Sequence, residues 1–514
     1  MNGAEILVDT LLANGIDLCF SNPGTSEMHF VAALDRRNDM RCVLGLFEGV
    51  VTGAADGYYR MTGRPAATLL HLGPGLGNGI ANLHNAKKAQ SGIVNIVGEH
   101  AASHIRFNAP LTADIAGLAR PVSAWVKTAT DAASIAPLAA EAIGAANGPP
   151  PVIATLILPG DAAWGNAEPV AAEPPLRRLK PVAAAAIDQA ARLLNSGEPT
   201  LLILGGRALK GSALDFAGRV AGKTGSRIAT QFFSARIERG AGRVPLERIP
   251  YVVDLALAML KPFRHIITVH TGEPIAFFAY PNKPSQLKPE GCDVFSLCAD
   301  DEDCLQALED LAAAVNAKPG DRLVQKPGDS GRPRGPLTSE AIAQALAATM
   351  PEGCILVDES VTTGRESFGL TAGAPPHDTL QNMGGSIGFA TPVALGAAIA
   401  CPDRPVLCVV GDGSAMYTFQ SLWTQAREGL NVTTVVFANR KYQILRNEFS
   451  AVGAGVPGPS ALSMLDIDNP TLDWVALAKG MGVGGAKVAT AEDLCREIER
   501  GFATRGPYLI EVEL

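Results

Sequence analysis

Three acidic or amide side chains stand where chemistry is possible. In VVGDGSAMYTF (409–419) an apolar run stops on Asp412, an acid held between Gly411 and Gly413. In TTVVFANRKY (433–442) a second apolar run ends at Asn439, 27 residues further on. That interval fits about one helix and one strand, so the two residues are expected on neighbouring strand tips. A carboxylate oxygen, an amide oxygen and a nearby backbone carbonyl make a hard-oxygen set suited to Mg²⁺ with phosphates. The glycines let the chain turn sharply and approach a ligand, and Ser414 would open a helix whose N–H groups suit phosphate. Each residue alone reads better as a turn residue; the pair at this spacing favours the ion. The third is Glu48 in FEGVVTGAADGYYRMTGRPA (47–66), which follows the run RCVLGLF among apolar neighbours. A buried carboxylate costs several kcal/mol unless it is paired. The alternative is an exposed acid favoured by the helix dipole.

Strand ends must be supplied by a framework. Strand-like runs (IDLCFSN, RCVLGLF, AATLLHLG, GIVNIVGE, PVIATLILP) alternate with Ala- and Leu-rich helical runs, which argues for βαβ units and parallel sheets. Pro-rich stretches at 172–182 and 318–338 read as linkers, dividing the 514 residues into three α/β blocks, 1–170, 183–317 and 337–514. Apolar residues make up 47% and charged residues 18%, a composition that fills large cores. A net charge of −8 without a basic stripe argues against nucleic acid. Nine scattered cysteines without a CxxC pair point to a reduced, cytoplasmic compartment. MNGAEILVDTLLANGID reads as an amphipathic helix rather than a signal peptide, and no apolar run is long enough to span a bilayer.

These motifs together resemble the thiamine-diphosphate (ThDP) enzymes of the acetolactate synthase, pyruvate decarboxylase and benzoylformate decarboxylase superfamily. The match runs over most of the chain, dense in the first and third blocks and thin in the middle one. Its signature is GDG followed at this distance by Asn-Asn; here Ala438 takes the first position and Asn439 keeps the second, the metal ligand. The resemblance implies three doubly wound parallel-sheet domains: pyrimidine-binding, middle Rossmann-like and diphosphate-binding. It implies that Asp412, Asn439 and the carbonyl of Lys441 hold Mg²⁺ against the diphosphate. Gly413, Ser414 and the pair Thr362 and Thr363 of DESVTTG would contact phosphates. In NMGGSIGFATP (382–392), Ile387 occupies the position that supports the bent cofactor, and Gly385 the position whose carbonyl binds the 4′-amino group. Glu48 would hydrogen-bond N1′ and favour the imino tautomer that deprotonates C2. In the family this Glu and the diphosphate site come from different subunits, which implies a homodimer or homotetramer.

The implied reaction is attack on a 2-oxo acid, loss of CO₂, and an enamine that is protonated to an aldehyde or added to a second carbonyl. SNPGTSEMHF (21–30) resembles the benzoylformate decarboxylase loop, with Thr25 at the position of the carboxylate-binding Ser. His71 of TLLHLGPG matches that enzyme's first active-site His and implies proton transfer. Ala279 stands near the place of the second, with His104 and His29 as candidate substitutes. NAPLTAD (108–114) lacks the Gln of acetolactate synthases, and the middle block lacks their flavin-binding segments, which argues against FAD. Ile444 and Leu445 make an apolar wall, with Phe449 nearby, that suits a bulky or aromatic acyl group or serves as ordinary packing. The missing Asn and His motivate a competing reading as a non-catalytic cofactor-binding regulator. A dehydrogenase or flavin oxidase, suggested by LLILGGRA, lacks the GxGxxG fingerprint and its downstream acid.

Overall fold

The computed structural model describes residues 1–328 and 331–514, so part of the expected 318–338 linker, residues 329–330, lies outside the described residues. The first sheet contains β1 (Leu18–Asn22), β2 (Arg41–Leu44), β3 (Ala66–Leu70), β4 (Ile93–Glu99), β5 (Trp125–Thr128) and β6 (Ile153–Pro159). Its spatial order is β2-β1-β3-β4-β6-β5, with every pairing parallel. Next along the chain come β7 (Thr200–Leu204), β8 (Arg227–Thr230), β9 (Ile237–Arg239), β10 (Glu247–Arg248), β11 (His265–Val269) and β12 (Asp293–Cys298). All but β9 form the second sheet, in the order β10-β8-β7-β11-β12. The third sheet contains β13 (Ile355–Glu359), β14 (His377–Gln381), β15 (Val406–Gly411), β16 (Val432–Ala438), β17 (Gly484–Val488) and β18 (Tyr508–Glu513), in the order β17-β18-β16-β15-β13-β14. β9 joins its β14 edge antiparallel. The architecture is α/β with three parallel-sheet domains, as the alternating runs imply.

Strands covered on both faces read as continuous apolar runs. β4 (IVNIVGE) and β16 (VTTVVFA) are buried at every position, and β15 (VLCVVG) at all but its last glycine. Parallel pairing brings all carboxyl ends of a sheet to one edge, where the loops leave toward the helices. Residues 167–179, within which most of the first Pro-rich stretch falls, carry no regular structure.

The first and third domains share one continuous core. Its seam is the glutamate helix (Glu48–Thr62) crossing the helix Ala390–Ala400. Glycine permits the closeness: a Cβ on Gly57 would lie 2.2 Å from the Val393 carbonyl oxygen, and one on Gly396 would lie 1.9 Å from that of Ala54. The small residues of VTGAADG are therefore the contact surface of a backbone-close crossing. Among the described residues, no helix is long and apolar enough to cross a membrane.

Candidate active site at the edges of two sheets

On the third sheet, β15 and β16 are neighbours in register, Gly411 opposite Phe437. Asp412 and Asn439 therefore follow adjacent strand ends, as their spacing requires. Asp412 is 3% exposed. Its Oδ1 accepts the Gly413 N–H at 2.9 Å and its Oδ2 the Arg440 N–H at 2.6 Å. Burial pushes the carboxyl above its usual pKa range, and these backbone bonds pull it back. Arg440 takes a left-handed conformation (φ 58°) that folds the turn back, and Asn439 Oδ1 accepts the Lys441 N–H at 3.2 Å. Gly413 is obligatory here, because a Cβ would lie 2.4 Å from the Tyr442 ring. Among the described residues no cluster of three or more His, Cys, Asp or Glu could hold a metal. An ion in this turn would have to combine the carboxylate with amide and carbonyl oxygens, and that all-oxygen set fits Mg²⁺.

The neighbouring tips carry the other expected residues. Spatial order runs β14-β13-β15-β16. Thr362 and Thr363 follow β13; Gly385 and Ile387 follow β14; Gly413 and Ser414 follow β15 in the short helix Asp412–Ala415. Thr363 and Ser414 are buried, Thr362 and Ile387 half-buried, and Gly385 is exposed with φ 75°.

The first sheet presents a second edge. Glu48, just beyond β2, is the first residue of its helix; it is half-buried, and its Oε2 accepts a bond from Asn78 Nδ2 at 3.0 Å. Thr25 lies exposed in the turn after β1, and His71 follows β3, the neighbouring strand. His71 is not alone. Its Nδ1 sits 2.7 Å from Oε2 of Glu27, which is 1% exposed and also accepts the Gly24 N–H at 2.8 Å. Among the described residues Glu27 Oε1 has no hydrogen-bond partner, and a Cβ on Gly98 would lie 1.6 Å from it, so that glycine of β4 makes room for the acid.

The candidate substitutes for a second histidine go elsewhere. His29 packs on Trp164 at 5.7 Å, and His104 on His100 and Phe107 at 5.3 and 5.8 Å. Among the described residues, neither hydrogen-bonds Thr25, Glu27 or His71. Ala279 lies in a middle-domain loop rich in aromatics. There the Phe277 ring meets Phe278, Tyr251 and Phe233 at 4.9, 5.7 and 5.8 Å. A Cβ on Gly385 would lie 2.9 Å from Phe277. Tyr280 of the same loop donates to Glu448 at 2.9 Å. That acid belongs to the helix Gln443–Ala451, which also carries Ile444, Leu445 and Phe449.

Comparison with known proteins decides the kinship. A profile described as thiamine pyrophosphate enzyme, N-terminal TPP binding domain, matches residues 1–118; its C-terminal TPP binding counterpart matches 367–512. The chain belongs to the thiamine pyrophosphate enzyme family. It is 48% identical to the "Putative acetolactate synthase large subunit IlvX" of Mycobacterium tuberculosis, with 100% of this chain and 99% of the relative covered. It is 28% identical to benzoylformate decarboxylase of Pseudomonas aeruginosa, with 98% and 97% covered. The solved 4-hydroxybenzoylformate decarboxylase of Rhodococcus jostii superposes with a TM-score of 0.85 at 26% identity, over 100% of this chain and 99% of that one.

Two features of the site escape sequence reasoning. Glu27 reads as a helix-start acid, and nothing local says that its partner is 44 residues away. A stripe of asparagines on the helix Leu72–Lys88 is the other. Asn78 holds Glu48; Asn82 donates to the carbonyls of Gly49 and Gly388 at 2.9 and 3.1 Å; Asn85 donates to that of Ser386 at 2.8 Å. Spaced at i, i+4 and i+7, they lie on one helical face that links the two edges. The signal was present in NGIANLHN as three amides at helical spacing.

Proposed function

We propose that this chain is a ThDP- and Mg²⁺-dependent decarboxylase or carboligase of 2-oxo acids, acting as a homodimer or homotetramer with its sites between subunits. The observation that carries the reading is the set of four adjacent tips on the third sheet, with Asp412 bonded to the turn that carries Asn439 and Lys441, on the sheet edge that also bears the Thr362, Gly385 and Ile387 loops. ThDP, when bound, supplies a carbon nucleophile and a sink for the electron pair released with CO₂.

The chain's own residues do the rest. Asp412, Asn439 and the Lys441 carbonyl would hold the ion; Gly413, Ser414, Thr362 and Thr363 would receive the diphosphate. Gly385 and Ile387 would hold and bend the cofactor. Glu48, fixed by Asn78, would bond the pyrimidine N1′. The Thr25 hydroxyl would bind the substrate carboxylate. Glu27 occupies His71 Nδ1, which orients the ring and leaves Nε2 to give or take a proton.

The Phe277 cluster, together with Ile444 and Leu445, supports a bulky or aromatic acyl group beside Gly385. Exposed apolar side chains support subunit contact: Leu46, two residues before Glu48, is 46% exposed, Phe107 64% and Met464 73%. Ala438, where the family has Asn, is buried within β16 opposite Glu513, so its replacement leaves the ion turn itself intact.

The test is incubation with benzoylformate or pyruvate, with and without an aldehyde acceptor, in ThDP and Mg²⁺. CO₂ release and an aldehyde or acyloin identified by mass spectrometry are expected. Absence of turnover across a 2-oxo acid panel, with ThDP bound, would exclude it.

A further inference from the structure

Glu359, the last residue of β13, has no place in the chemistry above, yet it is 5% exposed and, among the described residues, meets no cationic side chain. Its Oε2 accepts the N–H groups of Phe389 and Ala390 at 3.0 and 2.9 Å, where the helix Ala390–Ala400 begins. Its Oε1 accepts Asn382 Nδ2 at 3.1 Å. Asn382 in turn accepts the N–H groups of Gly384 and Gly385 at 3.2 and 2.9 Å and donates to the Ser386 carbonyl at 2.7 Å. Both ends of the loop that carries Gly385 and Ile387 thus hang from one carboxylate.

The network has a fixed sense. Backbone N–H groups only donate, so Asn382 must turn its oxygen to Gly384 and Gly385 and its NH₂ to Glu359. Every group facing Glu359 is then a donor, so a carboxylate answers them all, whereas the hydrogen of a protonated carboxyl finds no acceptor among them. A protonated carboxyl would push its hydrogen against a donor. Relief requires breaking the bond to Asn382 or flipping that amide, which releases Gly384 and Gly385.

We propose that ionised Glu359 is a positioning residue for the cofactor loop, and that its protonation loosens the chain's hold on the aminopyrimidine half of ThDP. This rests on the cofactor reading above. Burial pushes the Glu359 carboxyl up to about 7, and the bonds from Ala390, Asn382, Phe389 and Gly388 restrain the rise. The charged or titratable groups around it are few. Asp358 precedes it on β13 and feels Arg239 and Arg248. Cys408 on β15 stays a thiol, because burial pushes its pKa well up. On the glutamate helix, Arg60 is locked to Asp56 at 2.8 Å and lies 4.8 Å above the Phe389 ring. Arg60 also donates to the carbonyl of Gln381 at 2.6 Å, next to Asn382. The sign follows: the carboxylate that sets the loop is present above this pKa and disappears below it, so the hold on ThDP strengthens as pH rises through neutrality.

The experiment is calorimetric titration of the full chain with ThDP and Mg²⁺ between about pH 6 and pH 8, for wild type and Glu359→Gln. At the upper end wild type should bind about tenfold or more tightly than the variant, which cannot satisfy the donors. Toward the lower end the ratio should shrink toward one. Ionisation of the diphosphate affects both proteins alike and cancels in the ratio. Equal affinities, or a ratio constant with pH, overturn the proposal. If Glu359→Gln fails to fold, hydrogen exchange of the wild-type amides of Gly384, Gly385 and Phe389 replaces it. Their protection, corrected for intrinsic rate, should fall on acidification through the same range, and flat protection refutes the anchor. Wild type that binds no ThDP at any pH overturns the cofactor reading and this role with it, whereas pH-dependent protection would still identify Glu359 as the loop's anchor.

Discussion

The carboxyl edges of the third and first sheets answer their acids by different means. On the third, the backbone does most of the work: Asp412 is held by the N–H groups of Gly413 and Arg440, and Glu359 by those of Phe389 and Ala390. On the first, side chains dominate: Glu48 is held by Asn78, and Glu27 by His71 with one N–H from Gly24. Backbone donors are fixed in place and cannot exchange protons with their partners. They suit a rigid grip on an ion and a diphosphate. A histidine paired with a carboxylate can gain or lose a proton without moving. On the proposed reading, one edge would hold and the other would handle protons.

That division is most easily broken at Asp412. Asp412→Ala should weaken ThDP binding in the presence of Mg²⁺ by at least about 100-fold, more than the loss of an outer partner costs a metal site. Calorimetric titration measures it. Affinity within a few-fold of wild type would mean that this edge does not hold the cofactor.

Glu48→Gln should behave in the opposite way. The amide keeps the shape and a hydrogen bond, so ThDP affinity should change little, while turnover of a 2-oxo acid falls about 100- to 1000-fold, the size of an acid–base contribution. Parallel binding and single-turnover measurements separate the two. Unchanged turnover would remove Glu48 from the chemistry, and lost binding would erase the distinction between the edges.

A smaller effect is expected at Glu27. Glu27→Gln leaves the neighbourhood of Gly24 and Gly98 nearly unaltered but removes the charge facing His71 Nδ1. Turnover should drop by about 10- to 100-fold, as when a second-layer partner of a functional histidine is removed, and the pH–rate profile should shift. A loss of rate with the profile unmoved would reduce Glu27 to a packing role.

The two edges were also unequally legible in the sequence. Asp412 and Asn439 could be paired on paper because the apolar runs fix where each strand ends, although two short helices, Asp412–Ala415 and Ser421–Arg427, lie between them where one was expected. That the three sheets are parallel was legible from the alternation of strand and helix runs, but their strand orders were not. The Glu27–His71 pair was not, because it exists only once β1 and β3 lie side by side, and no local pattern states which strands become neighbours. Glu359 in DESVTTG carries no local mark of burial; its burial depends on the Asn382 loop and the start of the helix Ala390–Ala400 folding over it. The excursion of β9 into the third sheet was hidden by its length, since a strand as short as Ile237–Arg239 has no readable period. Short-range backbone patterns survive translation from sequence to site, and side-chain partnerships across strands do not.

The smallest effect belongs to Phe277, which lies on neither edge. Its loop comes from the middle domain and leans on Gly385 of the third sheet's edge, while Tyr280 ties the loop to Glu448. Phe277 is 43% exposed and Phe278 49%, unusual for rings that meet one another, so an apolar ligand group would gain by covering them. Phe277→Ala should therefore leave the pH–rate profile alone, since it touches neither paired acid, and should change ThDP affinity less than substrate selection, since its ring meets the loop at Gly385 and not at the donors to Asp412 or Glu359. It should raise KM for an aryl 2-oxo acid by roughly 5- to 10-fold relative to pyruvate, the scale of a lost apolar contact in a specificity pocket. Competing the two substrates in one reaction reads that ratio directly. A shift in ThDP affinity instead would place Phe277 in the grip of the third sheet, and an unchanged ratio would make the aromatic loop plain packing.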